Sequence, residues 1–199
     1  MRSGGAFPSS LPLLEEARRQ VDELDLRLAQ SQPGSSVHGA RRLIKQLRSH
    51  LRLLRSAVGE DAYATCSAAL RDAADALAGH RRAEALIAAA AKLESAAGDR
   101  CFWRNCAESH GRAHAALQDP AVGLASARDA IGRARDCLGS AVAAKLTGDP
   151  IGQAFFDTYG RARRRLRRAF RSGVAADLHE ARKDVIHHLH HLRLLAPDA

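Results

Sequence analysis

VHGARRLIKQLRSHLRLL, residues 37–54, is the stretch on which the fold class turns. Wound as a helix at 100° per residue with His38 at zero, it sends Arg41, Arg42, Lys45, Arg48, Arg52 and Arg55 to angles between about 260° and 40°. Leu43, Ile44, Leu47, Leu51 and Leu54 fall between about 140° and 240°. One face is therefore apolar and suited to a core, while the other is an almost purely cationic strip that His38 begins. Like charges at i, i+4 repel, so a face that merely meets water normally mixes signs. This one carries no acid, which points to a polyanionic partner.

The same helical pattern is written twice. At an offset of 141, residues 178–195, LHEARKDVIHHLHHLRLL, align with 37–54 without a gap, and eight of eighteen positions are identical. The pairs include His38/His179, Ala40/Ala181, Arg41/Arg182, His50/His191 and Arg52/Arg193. Two unrelated amphipathic helices would share leucines but would rarely share the His-x-x-Arg-basic start, so the pattern reads as a duplicated helix. The second copy puts His179, Arg182, Lys183, His190 and Arg193 on the equivalent strip, with Ile186 where the first copy has Lys45. A third strip precedes it in TYGRARRRLRRAFR, residues 158–171, where Arg161, Arg164, Arg165, Arg168 and Arg171 share a face and Leu166 and Phe170 point away.

Further outward, Ala, Leu and Arg dominate, β-branched and aromatic residues are sparse, and no stretch alternates with period two for long. The expected class is all-α, as antiparallel helical bundles with two pseudo-repeats. Breaks at Pro33-Gly34, Gly59, Gly79, Gly98-Asp99, Asp119-Pro120, Gly148-Asp149-Pro150 and Ser172-Gly173 delimit helices over roughly 9–31, 36–58, 61–78, 81–97, 100–117, 121–147, 150–172 and 175–196. Residues 1–8 read as a flexible N-terminus and 9–196 as the helical domain, in halves of about 9–97 and 100–196.

The chain has 199 residues and a formal charge of +9. Residues 37–55 carry +6 and 159–195 carry +7, so the remainder is a mildly acidic scaffold at −4. Only four of the 31 basic residues are lysine, and guanidinium forks suit bidentate phosphate contact better than ammonium does. No apolar run approaches the roughly 18 residues of a membrane span, and the first residues lack a secretory pattern. The reading is cytoplasmic. Cys66, Cys101, Cys106 and Cys137 form no C-x-x-C pair, which favours reduced thiols over disulfides or a zinc site.

The start His38-x-x-Arg41-Arg42-x-x-Lys45-Gln46-Leu47-Arg48, the later Tyr159-Gly160-Arg161-Ala162-Arg163-Arg164, and His179-Glu180-Ala181-Arg182-Lys183 followed by LRLL together resemble the CHAD domain, the conserved histidine α-helical domain. The resemblance covers about 10–195 in order. It implies two similar four-helix bundles about a pseudo-twofold axis, with a basic central cavity that binds inorganic polyphosphate without catalysis. It leaves association with polyphosphate granules open. Arg81-Arg82 and Ile186 depart from the family's usual residues. Family members usually continue beyond the second His-containing helix, so an incomplete second bundle is expected, with its apolar faces covered by another subunit in a homo-oligomer.

The expected phosphate contacts are His38, Arg41, Arg42, Lys45, Arg48, Arg52, Arg161, Arg164, Arg165, Arg168, His179, Arg182, Lys183 and Arg193. Two other classes compete. His187, His188, His190 and His191, and separately His110 and His114, have spacings that permit a metal, but the neighbouring Arg182, Lys183 and Arg193 put like charge beside any cation on the last helix. Nucleic acid suits the same electrostatics, yet aromatics are only 4%, and Phe102, Trp103, Phe155, Phe156 and Phe170 read as core. No Walker loop, G-x-S-x-G or paired carboxylates suggest an enzyme, and no cofactor or membrane partner is expected.

Overall fold

The computed structural model describes residues 10–31, 37–78, 120–141 and 149–196, together with 89–90, 92–93, 95, 104–106 and 108–109. Six long helices account for most of them: α1 (Ser10–Gln30), α2 (His38–Val58), α3 (Glu60–Ala76), α4 (Pro120–Ser140), α5 (Pro150–Ser172) and α6 (Ala175–Leu195). There is no strand among the described residues, and the protein is all-α. The helices expected over 81–97 and 100–117, with His110, His114, Cys101, Phe102 and Trp103, fall wholly or largely outside the described residues. The expected helix over 121–147 corresponds to α4, which ends at Ser140.

Local chemistry sets the ends. Gly59 turns the chain between α2 and α3 at φ 88°, and Gly173 does so between α5 and α6 at φ 65°, a conformation that costs a residue with a Cβ. The Gly173 N–H closes α5 on the Ala169 carbonyl. At the other end, Asp149 accepts from the Gly152 N–H at 2.8 Å and Pro150 supplies a preset first turn. Glu60 and Asp61 put negative charge at the N-terminus of α3, where the helix dipole favours it.

Two compact units draw on segments scattered along the chain. One comprises residues 1–20, 45–67 and 136–199; the other comprises 21–44 and 68–135. In the second, Leu24, Leu28, Ile44, Leu70, Leu77 and Ile131 are fully buried. Arg133 pairs with Asp72 at 3.0 Å, and Arg135 bridges Asp22 and Asp25. Arg41, expected on the cationic strip, is instead half-buried, and its Nη1 donates to the Ala74 carbonyl. The apolar flank of α2 sinks deep enough to take that guanidinium with it.

The first unit carries the site. Its core includes Leu14, Leu47, Leu51, Leu53, Leu54 and Leu138, each of which stabilises by about 1.5–3 kcal/mol when buried. Arg18 crosses to the C-terminus of α4, donating to the carbonyls of Leu138 at 2.9 Å and Ala141 at 2.7 Å, where a cation is favoured. Cys66 of α3 and Cys137 of α4 form a disulfide with Cα atoms 6.1 Å apart. This corrects the expectation of reduced thiols for these two residues, whereas Cys106 is free. A pairing across 71 residues leaves no local spacing signature, because packing alone brings the two cysteines together.

The α5–α6 hairpin departs from the expected core in an instructive way. The buried residues of α5 are Ile151, Gly152, Thr158, Ala162 and Ala169, and those of α6 are Ala181, Asp184 and His191. Four of the eight are Gly or Ala, so small side chains take much of the buried surface of this hairpin. The bulky Phe156 and Phe170, expected in the core, are 59% and 75% exposed.

Candidate functional site

Within the first unit, α2, α3, α5 and α6 enclose a cleft of about 920 Å³. From the C-terminal end of α2 come Arg52 and Arg55, from α3 Glu60 and Tyr63, from α5 Asp157, Arg161 and Arg165, and from α6 Glu180 and Asp184. Four guanidinium groups thus face four carboxylates. Sequence reading found the cations and missed the acids.

The acids follow a register. Antiparallel packing of α5 on α6 matches Arg168 with Asp177 at 3.3 Å, Arg165 with Glu180 at 3.5 Å, and Arg161 with Asp184 at 3.7 Å. Each step moves three or four residues back along α5 and as many forward along α6, so one ladder of ion pairs runs along one edge of the hairpin. Asp184 is its buried member, 3% exposed, and its Oδ2 also meets Arg165 Nη1 at 3.1 Å. Arg161 and Arg165 themselves remain 44% and 45% exposed toward the cleft. A buried carboxylate therefore lies within ion-pair distance of two guanidinium groups one turn apart, whose outer surfaces stay open to a ligand.

The remaining cleft residues divide by how much of their charge is already committed. Arg55 donates two 2.7 Å bonds to Glu60 and stacks 4.8 Å from the centre of the Tyr63 ring. That pairing raises the Arg55 pKa and lowers that of Glu60. Glu180 is lowered first by its bond to Lys183, at 2.6 Å, and also by the Lys183 and Arg165 charges. Arg52, by contrast, has no acid partner among the described residues. It presents the uncommitted positive charge of the cleft.

A family model for the CHAD domain matches residues 12–199. The chain belongs to the CHAD family. No curated protein and no solved structure matches it.

Of the fourteen cations and histidines expected to bind phosphate in this CHAD protein, the cleft gathers Arg52, Arg161 and Arg165. Arg168 lies further along the ion-pair ladder, and Lys183 is held by Glu180. Arg42, Lys45, His38, Arg164, His179, Arg182 and Arg193 are exposed but do not line the cleft, and Arg48 is half-buried outside it. Arg41 is turned toward the Ala74 carbonyl.

Beside the cleft, the histidines of α6 pack on α2. The Ser49 hydroxyl donates to the Lys45 carbonyl at 3.0 Å, which uses its one hydrogen. Its oxygen then accepts from Nδ1–H of His187 at 2.6 Å and of His190 at 3.0 Å. His191 Nε2 donates to the Ser49 carbonyl at 2.8 Å. His50 Nδ1 donates to Gln20 Oε1 at 2.8 Å, and Gln20 in turn donates to Glu16 at 2.6 Å. Burial, followed by the charges of neighbouring histidines, pushes His50 down to about 4. Burial and then Arg52 push His187 down to about 3, and burial pushes His191 down to about 4. His50 and His191 are therefore neutral hydrogen-bonding members of the core, and His187 is a neutral, half-buried one at its margin. Among the described residues, no group of three or more His, Cys, Asp or Glu is placed to hold a metal ion, and no helix is long and apolar enough to cross a membrane.

Proposed function

We propose that this CHAD protein binds inorganic polyphosphate without catalysing its turnover. The observation that carries the reading is the meeting of Arg52 from α2 with Arg161 and Arg165 from α5 at one cleft in a family linked to polyphosphate binding. Arg161 and Arg165 are oriented by Asp184, and Arg52 contributes uncommitted charge. A phosphate chain entering the cleft meets preorganised guanidinium donors, and further phosphates engage the exposed arginines of α5 as a multivalent extension. Counterion release supplies much of the free energy, so affinity falls as salt rises.

Aromatic stacking is a poor alternative here, because the cleft's one tyrosine is covered by Arg55. The deciding experiment is competition at equal phosphate concentration and moderate salt between long-chain polyphosphate and single-stranded DNA. Polyphosphate should win, and a chelator should leave its binding unchanged. Equal or better binding of DNA would replace this reading with a nucleic-acid one. Arg52→Glu should weaken polyphosphate binding by about tenfold with the helical signal intact.

We also read α2 and α6 as copies of one ancestral helix. Supporting this, Ser49 and His190 occupy equivalent repeat positions and touch each other. His191 bonds the Ser49 backbone, while the His190 backbone favours the proton of His50, the repeat equivalent of His191.

A further inference from the structure

The α5–α6 hairpin has a second edge, and it is apolar. With Ala162 at zero on α5, the ladder arginines lie between about 240° and 300°, whereas Leu166, Tyr159, Phe170 and Phe156 lie between about 40° and 120°. With Ala181 at zero on α6, the ladder acids lie between about 260° and 320°, and Leu192, Leu178 and Leu189 between about 20° and 80°. The helices are antiparallel, so positions displaced in the same sense on both come to the same side. The bulky side chains of both helices thus share the edge opposite the ion pairs. All are exposed, from 38% for Leu166 to 75% for Phe170.

Arginines rim this surface on both sides. Arg167 follows the apolar positions on α5 and Arg182 and Arg193 follow them on α6, while Arg163, at about 100°, stands beside Phe156 at the outer part of the apolar arc; all four are exposed. They have no acid partner among the described residues, and the hairpin's own carboxylates, Asp157, Asp177, Glu180 and Asp184, all lie toward the other edge. Two packed helices present a shallow groove between them, and a third helix is the element that fits such a groove.

We propose that this edge docks an amphipathic helix whose apolar face is flanked on both sides by acidic residues. Charge complementarity selects that occupant: a second copy of this chain would bring the same four arginines against themselves, whereas glutamates along both flanks of a partner helix meet the two rims. The span from Phe156 to Phe170 is about 21 Å at the helical rise, which asks for a partner helix of about four turns.

The probes are two synthetic helices of about 18 residues with leucines at heptad a and d positions, one with Glu and one with Lys at e and g. Titrated against the full chain, the Glu peptide should bind at least about tenfold more tightly than the Lys peptide. Arg163→Glu, Arg167→Glu, Arg182→Glu and Arg193→Glu together should invert that order. Phe156→Ser with Phe170→Ser should abolish binding of both peptides while circular dichroism stays unchanged, since these side chains are outside the core. Equal binding of the two peptides, or no inversion in the charge-reversed variant, would overturn the proposal. So would wild-type dimers in sedimentation velocity that the Phe substitutions dissolve, which would assign the edge to a second copy. Binding to phosphatidylglycerol vesicles with no binding of either peptide would assign it to a lipid surface instead.

Discussion

Neutralising two carboxylates in the same cleft should move polyphosphate affinity in opposite directions. Glu180 is half exposed and touches Arg165 at 3.5 Å, so Glu180→Gln mainly removes a negative charge from the ligand's path. At about 7 Å from a bound phosphate in a water-like dielectric, that relief is about 0.6 kcal/mol, or roughly threefold tighter binding. Asp184→Asn removes the same charge and gains the same relief. It also releases Arg161 and Arg165, which the carboxylate holds at 3.7 and 3.1 Å. Fixing two arginines at the moment of binding costs about 0.5–1.5 kcal/mol each, so the loss of orientation outweighs the gain and affinity falls by roughly fivefold.

The two variants share one net charge yet should differ by roughly fifteenfold in affinity. Fluorescence anisotropy with end-labelled polyphosphate at fixed salt measures both. Asp184→Asn should also cost about 1–2 kcal/mol in stability, a figure kept low because both arginine partners are partly solvated. Thermal melts therefore accompany each titration, at a temperature where both variants are folded. If folded Asp184→Asn binds as tightly as wild type or more tightly, Asp184 is a repulsive charge and does not position Arg161 and Arg165.

The histidine packing predicts acid sensitivity. His50, His187 and His191 have folded-state pKa values of about 4, 3 and 4, below the ordinary 6.5, so the unfolded chain takes up protons first. Their stabilisation is complete above pH 6.5 and is lost as pH falls toward 4, with a slope of up to about 1.4 kcal/mol per pH unit for each ring; chemical denaturation across that window measures it, and a flat profile would refute neutral burial. Reduction of the Cys66–Cys137 bond, or Cys66→Ser with Cys137→Ser, should lower stability by at most about 4 kcal/mol on the chain-entropy account of a 71-residue separation, read by thermal melts with and without reductant. Gly173→Ala should cost about 1 kcal/mol, because φ 65° is left-handed and no contact is otherwise gained, while Gly132→Ala inside α4 meets open space and should be neutral or stabilising.

What was legible in the sequence was whatever one helix determines by itself. The amphipathic stripe of α2, the breaks at Gly59 and Gly173, and the bounds of α5 all follow from local periodicity and turn chemistry, and those expectations agree with the helices observed. The cationic residues were legible for the same reason. Which of them meet was not, because that depends on how one helix is set against another. Arg161, Arg165 and Arg168 read as a bare strip along α5, but the antiparallel register of α6 brings Asp184, Glu180 and Asp177 opposite them. The same register explains the misplaced aromatics. Ala162 and Ala169 of α5 and Ala181 of α6 take buried positions, while Phe170 and Phe156 stand exposed on the edge away from the ion pairs. Periodicity identified an apolar flank on α5, yet the small residues beside it took the buried position. Hydrophobicity marks which faces can be buried, and side-chain size decides which of them a close helix pair encloses.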